Sequence, residues 1–267
     1  MDQASWVPED VDLTRPSAAR TYDFLLGGAH NFASDRDLGR RIIERVPDVR
    51  DCAVANRTFL RRAVQYCLDQ GVTQFLDIGS GIPTSGNVHE IAQRADPAAR
   101  VVYVDNEPVA VAHSQSILEG NDRATIIRAD LEDIDAVLSP EALGLLDLDE
   151  PVAVMMVALL HFVPDSQRPK EILRSYSERL APGSLLALSH VTADVYPERT
   201  GAIIDLYAES TNPLVQRSRA ELEGLMSDFE LVSPGVVHVP EWRPDSPEDV
   251  GEDPARSLVH GVVGRKV

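Results

Sequence analysis

Basic residues are scarce in this chain: 25 Lys and Arg stand against 43 Asp and Glu, a formal net charge of -18 over 267 residues. Recognition of phosphate backbones and anionic lipid draws on clusters of Lys and Arg, so neither a nucleic acid nor a membrane is expected as a partner. Long apolar runs are missing too. No stretch reaches the roughly 18 residues that read as a membrane span. The opening MDQASWVPEDVDLTRPSAAR carries acids and two prolines where a signal peptide needs an apolar stretch, and a cytoplasmic protein is expected. Cysteine is nearly absent. Cys52 and Cys67 form no Cys-x-x-Cys pair and have no partners at zinc spacing, so no metal site is expected. Both read as buried thiols on one helix.

What is present describes a packed chain, with 43% hydrophobic and 25% charged residues, close to the average for globular proteins. The length suits one large α/β domain with additions, or two small domains. After an arm of about a dozen residues, the stretch 16–48 mixes short helical segments around Gly27 and Gly28. Next, DCAVANRTFLRRAVQYCLDQG (51–71) sets Leu60, Val64, Cys67 and Leu68 on one helical face and stops at Gly71.

From there the chain alternates. Strands are expected at 74–78, 100–104 and 124–128, with helices near 87–95 and 108–119 between them, a rhythm that implies a parallel sheet covered on both faces. PVAVMMVALL (151–160) is apolar throughout, as a central strand should be. A helix at 169–180 and a strand at 184–191 follow. SRAELEGL opens with Ser218 and Glu221 in a capping-box relation. Two final strands, near 230–239 and 258–265, form an antiparallel hairpin across a Pro- and acid-rich loop. The expectation is thus an α/β fold, a doubly wound, seven-stranded, mostly parallel sheet with an antiparallel terminal hairpin. It divides into a helical extension and cap, 1–71, and a ligand-binding unit, 72–267, within one continuous body.

FLDIGSGIPTSGN (75–87) runs the first strand into a glycine-rich loop. A triphosphate loop needs Lys and Ser or Thr after its last glycine, and Asn87 and Val88 stand there. A dinucleotide fingerprint needs a third glycine, and Thr84 takes its place. Sign of charge separates the remaining ligands. Asp77, Asp105 and Asp130 follow three strands whose ends open on one crevice in a doubly wound sheet. Three carboxylates disfavour a pyrophosphate and favour a cationic ligand rich in hydroxyl and amino groups, which describes S-adenosylmethionine (SAM). Taken singly, each Asp reads equally well as a turn or cap residue.

The run Asp77-Ile78-Gly79-Ser80-Gly81, with VVYVDNEP (101–108), RADLED (128–133), VALLHFVPD (157–165) and LAPGSLLALSHV (180–191), resembles the successive motifs of class I SAM-dependent methyltransferases, whose sheet is Rossmann-like. SAARTYDFLLGGAHNF, ANRTFLRRAV (55–64) and HGVVGRKV (260–267) resemble a narrower group, the actinobacterial S-adenosyl methyltransferase family formerly listed as a domain of unknown function. The resemblance implies that Asp77 and the backbone of Gly79, Ser80 and Gly81 hold the methionine end of SAM. It implies Asp105 at the ribose, with Glu107 as the alternative, Asn106 beside the adenine, Asp130 at the adenine amine and the Leu131 N–H at a ring nitrogen.

Methyl transfer from a sulfonium demands positioning and dryness more than acid–base machinery. Should a base be used, His161 and His190 are the candidates, each equally readable as a packing residue. Tyr22, Asn31 and Phe32, around the glycine hinge, are expected to fold over the cofactor and help build the acceptor pocket. Arg57 could meet the SAM carboxylate, or be a solvated surface residue. The sequence thus points to methyl transfer onto a small-molecule acceptor at O, N or C. The alternative is a regulatory protein that binds SAM or S-adenosylhomocysteine (SAH) without turnover, and an NAD-dependent oxidoreductase is disfavoured by Asp77 and Thr84.

Overall fold

The computed structural model describes residues 11–83 and 86–267. Most of the expected terminal arm and Thr84 lie outside them. The sheet follows the sequence pattern closely. Parallel strands β1 (Gln74–Ile78), β2 (Arg100–Asp105), β3 (Ala124–Arg128), β4 (Ala153–Val157) and β5 (Leu185–Val191) alternate with helices and end in antiparallel β8 (Val259–Arg265). The stretch expected as one strand at 230–239 is instead two short pieces, β6 (Glu230–Leu231) and β7 (Val237–His238), both paired with β8. The chain turns between them at Gly235, φ +82°, a left-handed conformation that breaks strand geometry. The described sheet therefore has eight strands rather than seven, seven of them in the order β3-β2-β1-β4-β5-β8-β6 and the eighth, β7, pairing β8 off that path.

Strand alternation sorts the two faces. Phe75, Val101, Met155 and Ala187 pack under α3 (Val49–Asp69), α4 (Val88–Ala95) and α5 (Pro108–Ile117). Leu76, Val102, Met156 and Leu188 pack under α7 (Pro169–Arg179) and α9 (Arg219–Leu225), with short α6 (Ile134–Val137) at the edge. Both faces of β4 are buried, which explains its continuous apolar run. That strand is shorter than the 151–160 run, because Ala158 takes φ +59° and a tight turn, Leu160–Phe162, follows. Helix α3 carries Phe59, Leu60, Ala63, Val64 and Cys67 into the sheet core and stops before Gly71. Both cysteines lie on it, free and buried.

A third core sits beyond the strand ends. It joins α1 (Ala18–Leu25), α2 (Ala33–Arg45), the start of α3 and α8 (Pro197–Tyr207) through Leu25, Leu38, Ile42, Val49, Ile203 and Leu206. Helix α8 falls in the stretch 192–217, where the sequence offered no motif. The N-terminal helices are anchored by charge as well as apolar area. Arg20 Nε donates to Asp35 at 2.9 Å and Nη1 to Glu107 at 3.0 Å, with Arg20 and Asp35 almost wholly buried. Among the described residues no helix is long and apolar enough to cross a membrane.

Candidate cofactor and acceptor site

A cavity of about 490 Å³ opens at the carboxyl ends of β1, β2, β3 and β4, the place where an open α/β sheet binds ligands because loops after β1 and β4 leave in opposite directions. Eleven of the fourteen residues singled out from the sequence line it: Tyr22, Arg57, Asp77, Gly79, Ser80, Gly81, Asp105, Asn106, Asp130, Leu131 and His161. Asn31, Phe32 and His190 do not.

The strand ends explain the first half. Asp77 lies on the face of β1 that α3 covers, next to Tyr103 in register and near Arg57. Burial pushes its carboxyl up to about 7, with Asp105 adding to the rise and Arg57 opposing it. Burial also raises Asp105, while its hydrogen bonds from backbone N–H groups counter the rise. Those bonds come from Gly81 (2.7 Å) and Glu107 (2.9 Å). Gly79 and Gly81 have φ +68° and +66°, so the loop after β1 turns back on itself in a conformation that side chains resist. Glu107, the alternative ribose ligand, is occupied elsewhere: it caps α5 through Ala110 N–H and pairs with Arg20. At the mouth, exposed Asp130 accepts from Asn106 Nδ2 and from Glu132 N–H. Tyr176 holds the loop after β3 by donating to the Leu131 carbonyl. Arg57 donates to the Gly86 carbonyl at 2.8 Å.

A pyrophosphate would find its backbone donors already taken. The Gly86 and Asn87 N–H groups at the start of α4, where a pyrophosphate would sit, already donate to Glu90 at 2.7 and 2.9 Å.

Over β4, β5 and β8 the lining changes to Leu25, Ile42, Val49, Phe162, Ile203 and Tyr207. His161 belongs to this half. The residue is 6% exposed and its Nδ1 has no hydrogen-bond partner. Burial, together with His190 and Arg217, holds it well below the ordinary histidine range.

His190 is differently placed. Its Nε2 faces Arg217 Nη1 at 2.8 Å and its Nδ1 faces the Val191 carbonyl at 2.8 Å. A guanidinium only donates, so Nε2 accepts and Nδ1 carries the proton. The lone pair a base would use is committed to a cation, and the residue is 1% exposed. Asn31 is likewise internal, donating to Asp23 and to the Gly28 carbonyl. Phe32 packs with Ile82, Val109 and Ala110 beneath the glycine loop and under the Arg20 guanidinium, so it supports the site from outside the cavity.

Two residues that tie the site's walls together escaped the sequence reading. Asn56 accepts from Ser189 Oγ at 2.7 Å and donates to the Tyr22 hydroxyl at 3.1 Å, tying β5, α3 and α1 together at the cavity wall. Arg217 donates to the Leu160 and Val163 carbonyls and to His190. Asn56 lies inside the quoted ANRTFLRRAV, but neither residue carries a local signal for partners so distant in the chain.

A glycine turn, carboxylates capping three parallel strands and an antiparallel last strand between β5 and β6 define a class I SAM-dependent methyltransferase. A model of the S-adenosyl methyltransferase family matches residues 4–267, and the chain belongs to that family. It is similar to a Streptomyces avermitilis DUF574 family protein, at 38% identity and a TM-score of 0.91 over 96% of this chain and 99% of that one. A Thermobifida fusca protein assigned as a methyltransferase is 34% identical with a TM-score of 0.91, covering 98% and 99%. A SAM-dependent methyltransferase from Methanosarcina mazei shares the fold alone, at 16% identity and a TM-score of 0.50 over 73% of this chain and 93% of that one. No curated protein matches the chain.

The protein is therefore a SAM-dependent methyltransferase, and its residues fit that cofactor. Clustered buried carboxylates call for a cation and hydroxyl donors, and Ser80 Oγ at the glycine turn is buried without a partner.

Proposed function

We propose that this methyltransferase acts on a small molecule enclosed in the apolar half of the cavity, with SAM over β1, β2 and β3. The observation that carries the reading is the division of one cavity into a carboxylate half and an apolar half roofed by α1, α2 and α8. A volume of about 490 Å³ shared by cofactor and acceptor suits a compact acceptor. In this reading Asp77 and the Gly79, Ser80 and Gly81 backbone hold the methionine end, and Arg57 meets its carboxylate. Asp105 takes the ribose hydroxyls with the carboxylate lone pairs its backbone donors leave open. Asn106 flanks the adenine, Asp130 accepts from its amine and the Leu131 N–H reaches a ring nitrogen. Tyr22, fixed by Asn56 and the Ala53 carbonyl, forms part of the acceptor wall.

Bound SAM supplies a methyl carbon already activated by its sulfonium, and as the acceptor's lone pair bonds to it the C–S electron pair stays on sulfur. The chain orients the acceptor and excludes water, and the helical extension serves as the cap that does so. Isothermal titration with SAM and SAH tests the cofactor half. Micromolar binding is expected for the wild type and its loss for Asp105→Asn; equal affinity in both would remove Asp105 from the site. Labelled methyl groups then test the acceptor. Transfer onto protein or nucleic acid, with none onto a small-molecule panel, would overturn the acceptor reading.

A further inference from the structure

The acceptor half of the cavity holds no formal charge. Arg57, Asp77, Asp105, Glu107, Asp130 and Glu132 are the charged side chains among the described lining residues, and all six belong to the β1–β3 half. A carboxylate, phosphate or ammonium carried into the other half would meet no counter-ion, a burial that folded proteins avoid. An aliphatic amine acceptor is disfavoured on the same ground, since it is cationic at neutral pH.

Polar atoms in that half are mostly engaged. The Tyr22 hydroxyl donates to the Ala53 carbonyl and accepts from Asn56 Nδ2. The Cys52 thiol has the carbonyls of Asp48 and Arg256 within reach of its one proton. Two cavity-lining side chains are exceptions, Ser17 with an unpartnered Oγ and, next to the apolar wall, His161 with a buried ring whose Nδ1 is unpartnered. Its backbone is fixed, because the Val215 N–H donates to the His161 carbonyl at 2.7 Å and Arg217 binds the carbonyls of Leu160 and Val163. Kept neutral by its surroundings, the imidazole offers a lone pair to a proton-bearing group.

We propose that the acceptor is an uncharged, largely apolar compound whose reacting hydroxyl donates a hydrogen bond to His161. This rests on the placement of SAM over β1, β2 and β3. In the transfer the hydroxyl oxygen forms the new O–CH₃ bond, the C–S pair remains on sulfur, and the hydroxyl proton leaves through the imidazole to solvent. His161 is then a catalytic residue, with Arg217 positioning its loop.

The test uses the full chain saturated with SAH and four probes: 2-naphthol, naphthalene, the anion 6-hydroxy-2-naphthoate and the cation 6-(aminomethyl)-2-naphthol. Titration is expected to show 2-naphthol binding at least about tenfold more tightly than either charged probe, because those bury an unpaired ion. It is also expected to exceed naphthalene by about fivefold, the net effect of one hydrogen bond. His161→Phe keeps a ring against Phe162 and His190 and removes the acceptor nitrogen, so the naphthol preference over naphthalene should vanish while naphthalene and SAH affinities hold. His161→Ala should lose the preference too. Charged probes that bind as well as 2-naphthol, no binding by either neutral probe, or a hydroxyl preference that survives in both variants would each overturn the proposal. Failure to bind SAH would instead refute the cofactor placement beneath it.

Discussion

Cofactor binding should be linked to a proton on Asp77. Burial raises its carboxyl from 3.8 to about 7 in the ligand-free protein, whereas an ammonium brought against it would favour the charged form. If the ligand binds the carboxylate only, the ionised fraction sets the apparent affinity. For a pKa of about 7 that fraction is about 3% at pH 5.5 and about 76% at pH 7.5, so affinity should rise about 25-fold across the interval, about 1.9 kcal/mol. Asp105, also raised, pushes in the same direction. At pH 7 binding should release about half a proton per site from Asp77. Titration of SAH in two buffers of different ionisation enthalpy reads that proton directly, and Asp77→Asn should abolish the Asp77 component while weakening binding. The same shift bears on stability with the opposite sense. The folded protein keeps a proton that the unfolded chain loses, so Asp77 favours folding fully below 3.8 and ceases to as pH rises through about 7. Wild-type affinity that is flat from pH 5.5 to 7.5, with no proton released at pH 7, would refute the reasoning.

Other perturbations have equally definite outcomes. Arg20→Met strands the carboxylates of Asp35 and Glu107, the first with no exposure, and should cost about 3–5 kcal/mol by urea denaturation. Gly79→Ala should destabilise by about 1–3 kcal/mol through its left-handed backbone. It should exceed Gly81→Ala in the same assay, because its new Cβ would lie 2.4 Å from Leu159 Cδ1 whereas that of Gly81 meets open space. His260 is held at about 4, chiefly by burial. The unfolded chain therefore takes up its proton first as pH falls, and stability drops between about pH 6.5 and 4. His260→Gln should lose about 2 kcal/mol less than wild type between pH 7 and 5 in parallel urea titrations.

The carboxylate half of the site was open to reading because each part is local. An apolar five-residue run, a glycine turn and an Asp at a strand's end recur along the chain, and the parallel rule brings those ends together without knowledge of any distant contact. The 230–239 stretch misled because its alternation suits a strand, while the turn at Gly235 divides it. His161 and His190 look alike in sequence, each near the end of an apolar run. Only the arrival of Arg217, 27 residues beyond His190, commits one imidazole and leaves the Nδ1 of the other unpartnered.

The sequence by itself determined the strand–helix alternation, the doubly wound sheet and the acidic rim proposed to hold SAM, since these follow from short-range periodicity and charge. Tertiary structure alone decided the apolar half of the cavity, the proposed acceptor side. Its walls come from α1, α2, α8 and Leu258, segments separated by up to the length of the chain, and each looks in sequence like ordinary core. Whether apolar side chains fill a space or surround one depends on how the helices meet, and no local pattern encodes that.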